Sequence, residues 1–387
     1  MIMKKKIAIL GSTGSIGKTC LRILSKDKRS FTIELLSANK NYKLLLNQAK
    51  KFKVKNIIIS DQKYYEIAIS KKIKSINIYN NFDCFKKIFP KKIDYVMSSI
   101  VGLEGLIPTL DIIKYTRTIA IANKESIICA WNLIKKKLSY YKTNFIPVDS
   151  EHFSIWYALK NSKSTIKKIY LTASGGSLLN FPKKKLKRIK LSEVLNHPNW
   201  KMGNKITVDS STMMNKVFEV IEAKKIFNLN YNQIDIIIHP KSYIHAIIQF
   251  SDGMIKIIAH DTTMVIPIFN SLYHGKDKNI KSTNVDFNKL NGLNFKKVDT
   301  KKFPSVNLLK KIPNDDSLFE TIIVTVNDEI VEKFLKQKLN YCDINNISKY
   351  ILNKSEFKKY RKKYPRKVSE VVRLSNYVRN KINSIYI

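Results

Sequence analysis

Acidic residues are scarce in this chain: 30 Asp and Glu face 71 Lys and Arg across 387 residues, a formal charge of +41 at pH 7. Such an excess ordinarily favours nucleic acid or anionic membranes, because lysines neutralise phosphates and release counterions. Here the lysines run through the whole chain beside Ile, Asn, Tyr and Phe, residues of AT-rich codons, while Gly (11) and Pro (10) are few. Mutational bias accounts for that pattern, and no RGG, zinc-finger or basic-zipper pattern accompanies it, so no specific nucleic-acid partner is expected. Cysteine is scarcer still. Cys20, Cys84, Cys129 and Cys342 lie far apart without a CxxC pair, which argues against a disulfide framework or structural zinc and fits a reducing, cytoplasmic setting. No uninterrupted apolar run is long enough to span a bilayer, and no lipidation motif is visible. The opening MIMKKKIAIL sets basic residues before an apolar stretch, but that stretch is too short for a signal-peptide core and reads as a buried first strand.

What remains is ordinary globular material, 44% apolar and 26% charged, in a chain longer than one hydrophobic core usually supports. From Lys5 to about Asn123, short β-branched runs alternate with amphipathic stretches, as a parallel sheet covered by helices requires. IAIL, TIELLS, NIII, YVMSS and TIAIA are the expected strands; Lys18–Leu24, Tyr42–Phe52 and Leu103–Ile113 are the expected helices. This is an α/β, doubly wound pattern whose ligand should lie at the carboxyl ends of the strands. A second region opens near Asp149, with strands expected at Lys168–Thr172, Ile234–Ile238 and Ile244–Phe250. The polar stretch Lys276–Lys302 reads as a linker. Beyond it the pattern is helical: Ser317 and Glu320 form a capping box before a helix running towards Phe334, and Lys367–Ile382 is amphipathic.

Gly11-Ser-Thr-Gly14-Ser-Ile-Gly17 directly follows the first strand and opens a helix, where backbone N–H groups and the helix dipole can hold a pyrophosphate. A tight βα turn with no ligand is the plainer alternative. Gly17-Lys18-Thr19 also ends like a Walker A loop, but that loop needs glycine where Ser12 stands. An NAD site usually ends its second strand with Asp or Glu for the ribose 2′-hydroxyl; here the chain reads Ala38-Asn39-Lys40-Asn41. A cation among amides suits a 2′-phosphate and favours NADPH, unless Lys40 is one more solvated lysine.

Pro147-Val-Asp149-Ser-Glu151-His152 follows a strand expected at Asn144–Val148 and leads into a helix expected at Phe153. Its two carboxylates offer oxygen ligands suited to Mg²⁺ or Mn²⁺; Asp149 as a helix cap with Glu151 in the first turn is the alternative. Ser210 to Ala223 is expected as one helix on which Asn215, Lys216 and Glu219 share a face. Flanking Met213, Met214, Val220 and Ile221 imply burial, and buried charges need a reason. Thr172-Ala-Ser174-Gly175-Gly176 is a strand-end turn of small residues fit for close approach to an anion. His197-Pro-Asn-Trp200-Lys-Met202-Gly203 is a candidate lid, or else Trp200 is a core anchor.

Together these stretches resemble the 1-deoxy-D-xylulose 5-phosphate reductoisomerase family, in order: GSTGSIG, ANKES, PVDSEH, TASGG, HPNWKMG, ITVDSSTMMNK, EVIEA and IHPKSYIHAIIQFSDG. The resemblance runs from about Ile7 to Pro267 and continues weakly beyond. It implies a homodimer with an NADPH domain (1–148), an α+β catalytic and dimerising domain with linker (149–300) and a C-terminal helical domain (301–387). Asp149, Glu151 and Glu219 would bind Mg²⁺ or Mn²⁺, with Co²⁺ an option. Ser174, Ser210, Asn215 and Lys216 would hold the substrate phosphate beside His197. Lys124, Ser150, Glu151 and Glu219 would meet the substrate's polar backbone, and Trp200 with Met202 would close over it. Thr13, Gly14, Ser15, Ile16, Asn39, Lys40, Asn41, Asn123, Glu125 and Gly203 would contact NADPH. The implied reaction, part of non-mevalonate isoprenoid biosynthesis, rearranges the phosphorylated ketose at the metal and reduces the branched aldehyde.

The chain departs from the family pattern at Asn39, Ser177-Leu178, Val217, Thr263 and Val265, none of them an implied metal or phosphate ligand. The rival classes are a homoserine or aspartate-semialdehyde type of dehydrogenase, a P-loop ATPase or kinase, and a basic nucleic-acid-binding protein.

Overall fold

The computed structural model describes residues 4–276, 278–280 and 282–385. Met1–Met3 of the opening stretch, and Asp277 and Lys281 of the polar stretch, lie outside them. The chain forms two compact units: one comprises the residues up to Ser126, Ile134–Asp149 and Met264–Ile280; the other comprises Ile127–Leu133, Ser150–Thr263 and the residues after Ile280.

The first unit is built on seven parallel strands: β1 (Lys5–Leu10), β2 (Phe31–Ala38), β3 (Asn56–Ile59), β4 (Asn77–Tyr79), β5 (Ile93–Ser98), β6 (Thr116–Ile121) and β7 (Asn144–Pro147). Helices α1 (Ser15–Lys26), α2 (Tyr42–Phe52), α3 (Gln62–Ile69), α4 (Phe85–Ile88) and α5 (Leu106–Ile112) intervene, and α6 (Lys124–Tyr140) follows β6. Ile7 to Leu10 are wholly buried, because strands covered on both faces carry continuous apolar runs. In α1 the buried residues Cys20, Leu21, Ile23 and Leu24 recur at helical spacing and form its apolar face. The sheet order is β4-β3-β2-β1-β5-β6-β7. It reverses between β1 and β5, and the crevice at a reversal is where such sheets bind ligands.

The expected strands and the bounds of α2 are found. The first helix is longer than expected, since it starts at Ser15. Leu103–Ile113 is one turn of 3₁₀ helix, then α5. The strand β4 and the helices α3, α4 and α6 were not foreseen. The long helix α6 is interrupted at Ala130, which has non-helical backbone angles. The chain returns to this unit as α11 (Val265–Leu272), fixed by Lys5 Nζ donating to the Leu272 carbonyl and Tyr273 donating to Asp27.

The second unit holds a mixed sheet in the order β11-β10-β8-β9-β12, from β8 (Ile166–Ala173), β9 (Ile234–Ile238), β10 (Ile244–Phe250), β11 (Ile255–Ala259) and β12 (Lys296–Lys297). Against it lie α7 (Ser150–Ala158) and α10 (Met214–Phe227), with Ile155, Ile169, Leu171, Val220, Ala223, Ala246 and Ile248 in one core. Short α8 (Leu191–Leu195) and α9 (Asn204–Ser211) precede α10. The linker expectation is corrected in part: α12 (Phe287–Asn291) and β12, paired to β9, are formed within that stretch. The helical tail comprises α13 (Phe319–Leu335), α14 (Tyr341–Leu352), α15 (Ser355–Lys358) and α16 (Val368–Ile385). The expected capping box is only half formed: Glu320 accepts from the Ser317 amide and hydroxyl at 2.9 and 2.5 Å, but the helix begins after Leu318, and the Ser317 hydroxyl accepts from the Phe319 amide instead of the Glu320 amide. The tail braces α9 and α10: Asn327 donates to Asp209, Tyr341 to the Ser211 carbonyl, and Lys225 pairs with Asp316 and Glu320.

Candidate active site

In the first unit the glycine turn sits at the carboxyl end of β1. Gly11 has φ +83°, and a Cβ there would stand 2.7 Å from the Ser99 carbonyl oxygen; one on Gly17 would stand 2.4 Å from the Gly11 oxygen. Only glycine allows the loop to fold this tightly. The turn is latched from behind: Ser37 Oγ accepts from the Gly11 amide, while Ser12 and Gln48 exchange two hydrogen bonds. Gln48 and Ser37 were missed by sequence reasoning, because the contacts join different elements and carry no local motif. Thr13, Gly14 and Ile16 are half-buried and Ser15 is exposed, with Gly14 at the head of α1 and no side chain capping that helix. A helix start left this way offers amides to an anion.

The loop after β2 is partly committed to its own structure. Asn39 donates to Ser60, Asn41 caps α2 at the Leu44 amide, and Lys40 is exposed. Asn123 caps α6, accepting from Ser126 at 2.6 Å and donating to the Gly102 and Ile100 carbonyls. Its side chain therefore shapes the site from behind, and only its backbone remains to touch a ligand. Glu125 is buried in the first turn of α6. Lys124 begins that helix and pairs with Asp149 at 3.2 Å.

In the second unit α7 starts at Ser150 rather than Phe153, so Glu151 sits in its first turn, as the capping alternative allowed. The expected single helix from Ser210 to Ala223 is also corrected. Met213 adopts left-handed angles, φ 63°, and separates α9 from α10. Ser210 thus lies at the end of α9, and Asn215, Lys216 and Glu219 lie in the first turns of α10. The break leaves the shared face intact: Asn215 donates to Glu219, and Lys216 pairs with Glu219 and, at 2.6 Å, with Glu151 Oε1. Ser150 Oγ donates to the other Glu151 oxygen at 2.5 Å. Lys216 is 4% exposed. Burial alone would lower its pKa, but Glu151 and Glu219 outweigh that and hold the ammonium above its ordinary range. Glu151 and Glu219 offer oxygens within 4.8 Å of each other, and Asp149 precedes Glu151 by two residues. His152 is wholly buried, with its Nε2 at 2.9 Å from the Glu219 carbonyl and its Nδ1 side near Glu222.

At the end of β8, Gly175 and Gly176 have φ +84° and +68°, and a Cβ on Gly176 would lie 2.6 Å from the Ser210 carbonyl oxygen. Glycine here lets the TASGG turn approach the end of α9. The hydrogen bonds around His197 assign its tautomer. Nδ1 accepts from the Asn199 and Trp200 amides at 3.1 and 3.0 Å, so the proton is on Nε2, which donates to Ser174 Oγ at 3.0 Å. Burial lowers the His197 pKa and keeps the ring neutral. Ser174 Oγ also accepts from the Gly176 amide. With both lone pairs taken, its own hydroxyl proton is left to donate outward. Trp200 and Met202 are half-buried on the candidate lid, and exposed Gly203 heads α9. Among the departures, Leu178 and Val217 are buried and Ser177 donates to the Val194 carbonyl, so these residues pack the fold.

Family models of 1-deoxy-D-xylulose 5-phosphate reductoisomerase match residues 7–131, and its C-terminal domain models match residues 145–227 and 261–381. The chain is 55% identical over 386 residues to the enzyme of that name from Pelagibacter ubique (strain HTCC1062), covering 98% of this chain and 99% of the relative. It is 38% identical over 355 residues to that from Sulfurihydrogenibium sp. (strain YO3AOP1), covering 92% of each. A solved DOX-P reductoisomerase in complex with NADPH, fosmidomycin and magnesium superposes with a TM-score of 0.90 at 30% identity, covering 98% of both chains. The Zymomonas mobilis enzyme in complex with NADPH gives 0.86 at 28% identity, covering 99% of both. With three matching models across most of its length and a relative sharing more than half of its residues, this chain belongs to the 1-deoxy-D-xylulose 5-phosphate reductoisomerase family.

Proposed function

We propose that the chain converts 1-deoxy-D-xylulose 5-phosphate to 2-C-methyl-D-erythritol 4-phosphate, using NADPH and Mg²⁺ or Mn²⁺, in non-mevalonate isoprenoid biosynthesis. The observation that carries this reading is the convergence of Glu151 and Glu219 on one buried cation, the Lys216 ammonium. Two carboxylates arranged around a positive centre fit a hard divalent ion, and Asp149, two residues before Glu151, completes an oxygen ligand set. The glycine turn and the acid-free loop at Lys40 fit NADPH. When bound, the metal supplies Lewis-acid polarisation of the ketose oxygens and NADPH supplies the hydride.

The chain's own groups do the rest. The Ser174 hydroxyl, set by His197 and Gly176, donates to a phosphate oxygen, joined by Ser210 and Asn215. Lys216, paired here with Glu151 and Glu219, would be the nearby ammonium for the same phosphate. Lys124 and Ser150 steady the ketose backbone, and Trp200 with Met202 covers it and excludes water. Thr13, Gly14, Ser15 and Ile16 hold the dinucleotide, with Lys40 at its 2′-phosphate and the backbone of Asn123, Glu125 and Gly203 alongside. Functionally the chain then divides into a cofactor part (1–148), a catalytic part (149–300) and a helical part (301–387).

The proposed assembly is a homodimer in the cytoplasm. Edge strand β11 supports pairing, since it turns Ile255 and Ile257 to solvent at 55% and 52% exposure. No helix among the described residues is long and apolar enough to cross a membrane. The test is NADPH oxidation with 1-deoxy-D-xylulose 5-phosphate, with and without Mn²⁺. Turnover should vanish in EDTA and in Glu219→Gln, with NADPH binding retained; undiminished turnover in EDTA would remove the metal mechanism.

A further inference from the structure

Behind the Trp200 loop lie two histidines that the reaction does not use. His245, buried at the start of β10, stacks on His260, just past β11, with ring centroids 3.7 Å apart and planes 16° apart. The His245 Nε2 proton goes to the His260 carbonyl at 3.1 Å, and His260 Nδ1 donates to the Asp261 carbonyl at 2.8 Å. Trp200 meets the outer end of this stack, edge to face with His245 at 6.1 Å and 74°. Asn199, next to it, donates to the Pro240 carbonyl and to Ser242 Oγ. The loop is thus received at two points, a polar one where the β9–β10 connection meets Asn199 and an aromatic one where His245 of β10 meets Trp200.

We propose that the His245–His260 stack is the seat of the Trp200 loop, that His260 is a positioning residue for substrate closure, and that the seat holds only while His260 is uncharged. With Nδ1–H committed to Asp261, protonation must occur at Nε2, a buried atom with no hydrogen-bond partner among the described residues. The new N–H would be orphaned and a charged ring would press on a second imidazole at van der Waals distance, so the stack opens and Trp200 loses its support. The surrounding groups do not rescue the charge. Asp261 favours it, but its carboxylate is bonded to Thr283; Lys241 is turned to the Asn288 carbonyl, Lys289 lies over Tyr243, and the His239 ring lies on Phe295. Burial, the largest effect, sets the transition below the ordinary value of 6.5, opposed by the Asp261 hydrogen bond and charge.

The inference rests on the lid role given to this loop, so one readout is independent of turnover. The full chain, labelled with 5-fluorotryptophan, carries three tryptophans, and Trp200→Phe identifies the ¹⁹F resonance of interest. In the wild type that resonance should move as pH falls below 6.5; in His260→Phe, which stacks without titrating, it should stay still, and in His260→Ala it should be displaced at every pH. In kinetics, KM for the ketose phosphate should rise in acid for the wild type and remain flat for His260→Phe. For His260→Ala it should be raised roughly 2- to 10-fold throughout, the worth of an aromatic pair, with kcat changed less. A Trp200 resonance that titrates in His260→Phe as in the wild type overturns the proposal. So does a resonance unmoved in His260→Ala, and the ¹⁹F result stands even if the assumed substrate is not turned over.

Discussion

Removing the ammonium from the acidic pocket gives the sharpest test of how the site is charged. In Lys216→Met the side chain keeps its bulk, and Glu151 and Glu219 lose their shared counter-ion. Lys216 and Glu219 are 4% and 1% exposed, so solvent cannot take over that role. Breaking a buried pair by deleting one partner costs about 3–5 kcal/mol. At roughly 2–4 °C per kcal/mol for a unit of this size, the apparent midpoint in EDTA should fall by about 6–20 °C. A divalent ion replaces the missing charge, and it no longer competes with an internal amine. Saturating Mn²⁺ should therefore raise the variant's midpoint by more than it raises the wild type's, since ligand stabilisation grows with occupancy over Kd. Calorimetry of both proteins in EDTA and in Mn²⁺ decides the matter. A variant that melts within about 2 °C of the wild type in EDTA, or equal Mn²⁺ stabilisation of the two, would show that the carboxylates do not share a single cationic position.

Two further outcomes follow from the described geometry. Lys40→Ala should weaken NADPH binding roughly 10- to 100-fold, the worth of a charge-assisted contact, while NADH binding changes little; equal losses for both dinucleotides would remove the 2′-phosphate role. Gly176→Ala must place a methyl at φ +68° and 2.6 Å from the Ser210 oxygen. It should lose at least about 1–2 kcal/mol in urea unfolding and raise KM for the phosphorylated substrate, and unaltered stability would mean that the turn and α9 are not in contact as described.

Much of the first unit was legible because buried parallel strands advertise themselves as β-branched runs, and the glycine turn announces its own geometry. β4 escaped notice because three residues carry no period. β11 had a usable signal, since Asp252-Gly253 between two apolar runs marks a hairpin. The split at Met213 had none: apolar spacing continues across it, and no glycine or proline marks the bend. At the candidate site, the acidic residues and the TASGG turn stand out as motifs. What those side chains do with one another could not. That Lys216 sits between two glutamates, that Asn123 is consumed in holding the Gly102 loop, and that His245 stacks on His260 and meets Trp200 are facts of tertiary placement with no local spacing behind them.

Met213 shows how one backbone residue can tie two helices of the candidate site together. Its left-handed angles cost about 1–2 kcal/mol in any residue with a Cβ, yet the side chain is 2% exposed and packs with Ala173, Ile238 and Phe303. Glycine would relieve the backbone and empty the core; isoleucine would fill the core and aggravate the backbone. Position 213 is therefore pulled between two demands that no amino acid meets together, and substitutions there should disturb the spacing of Ser210 from Asn215 without touching either one.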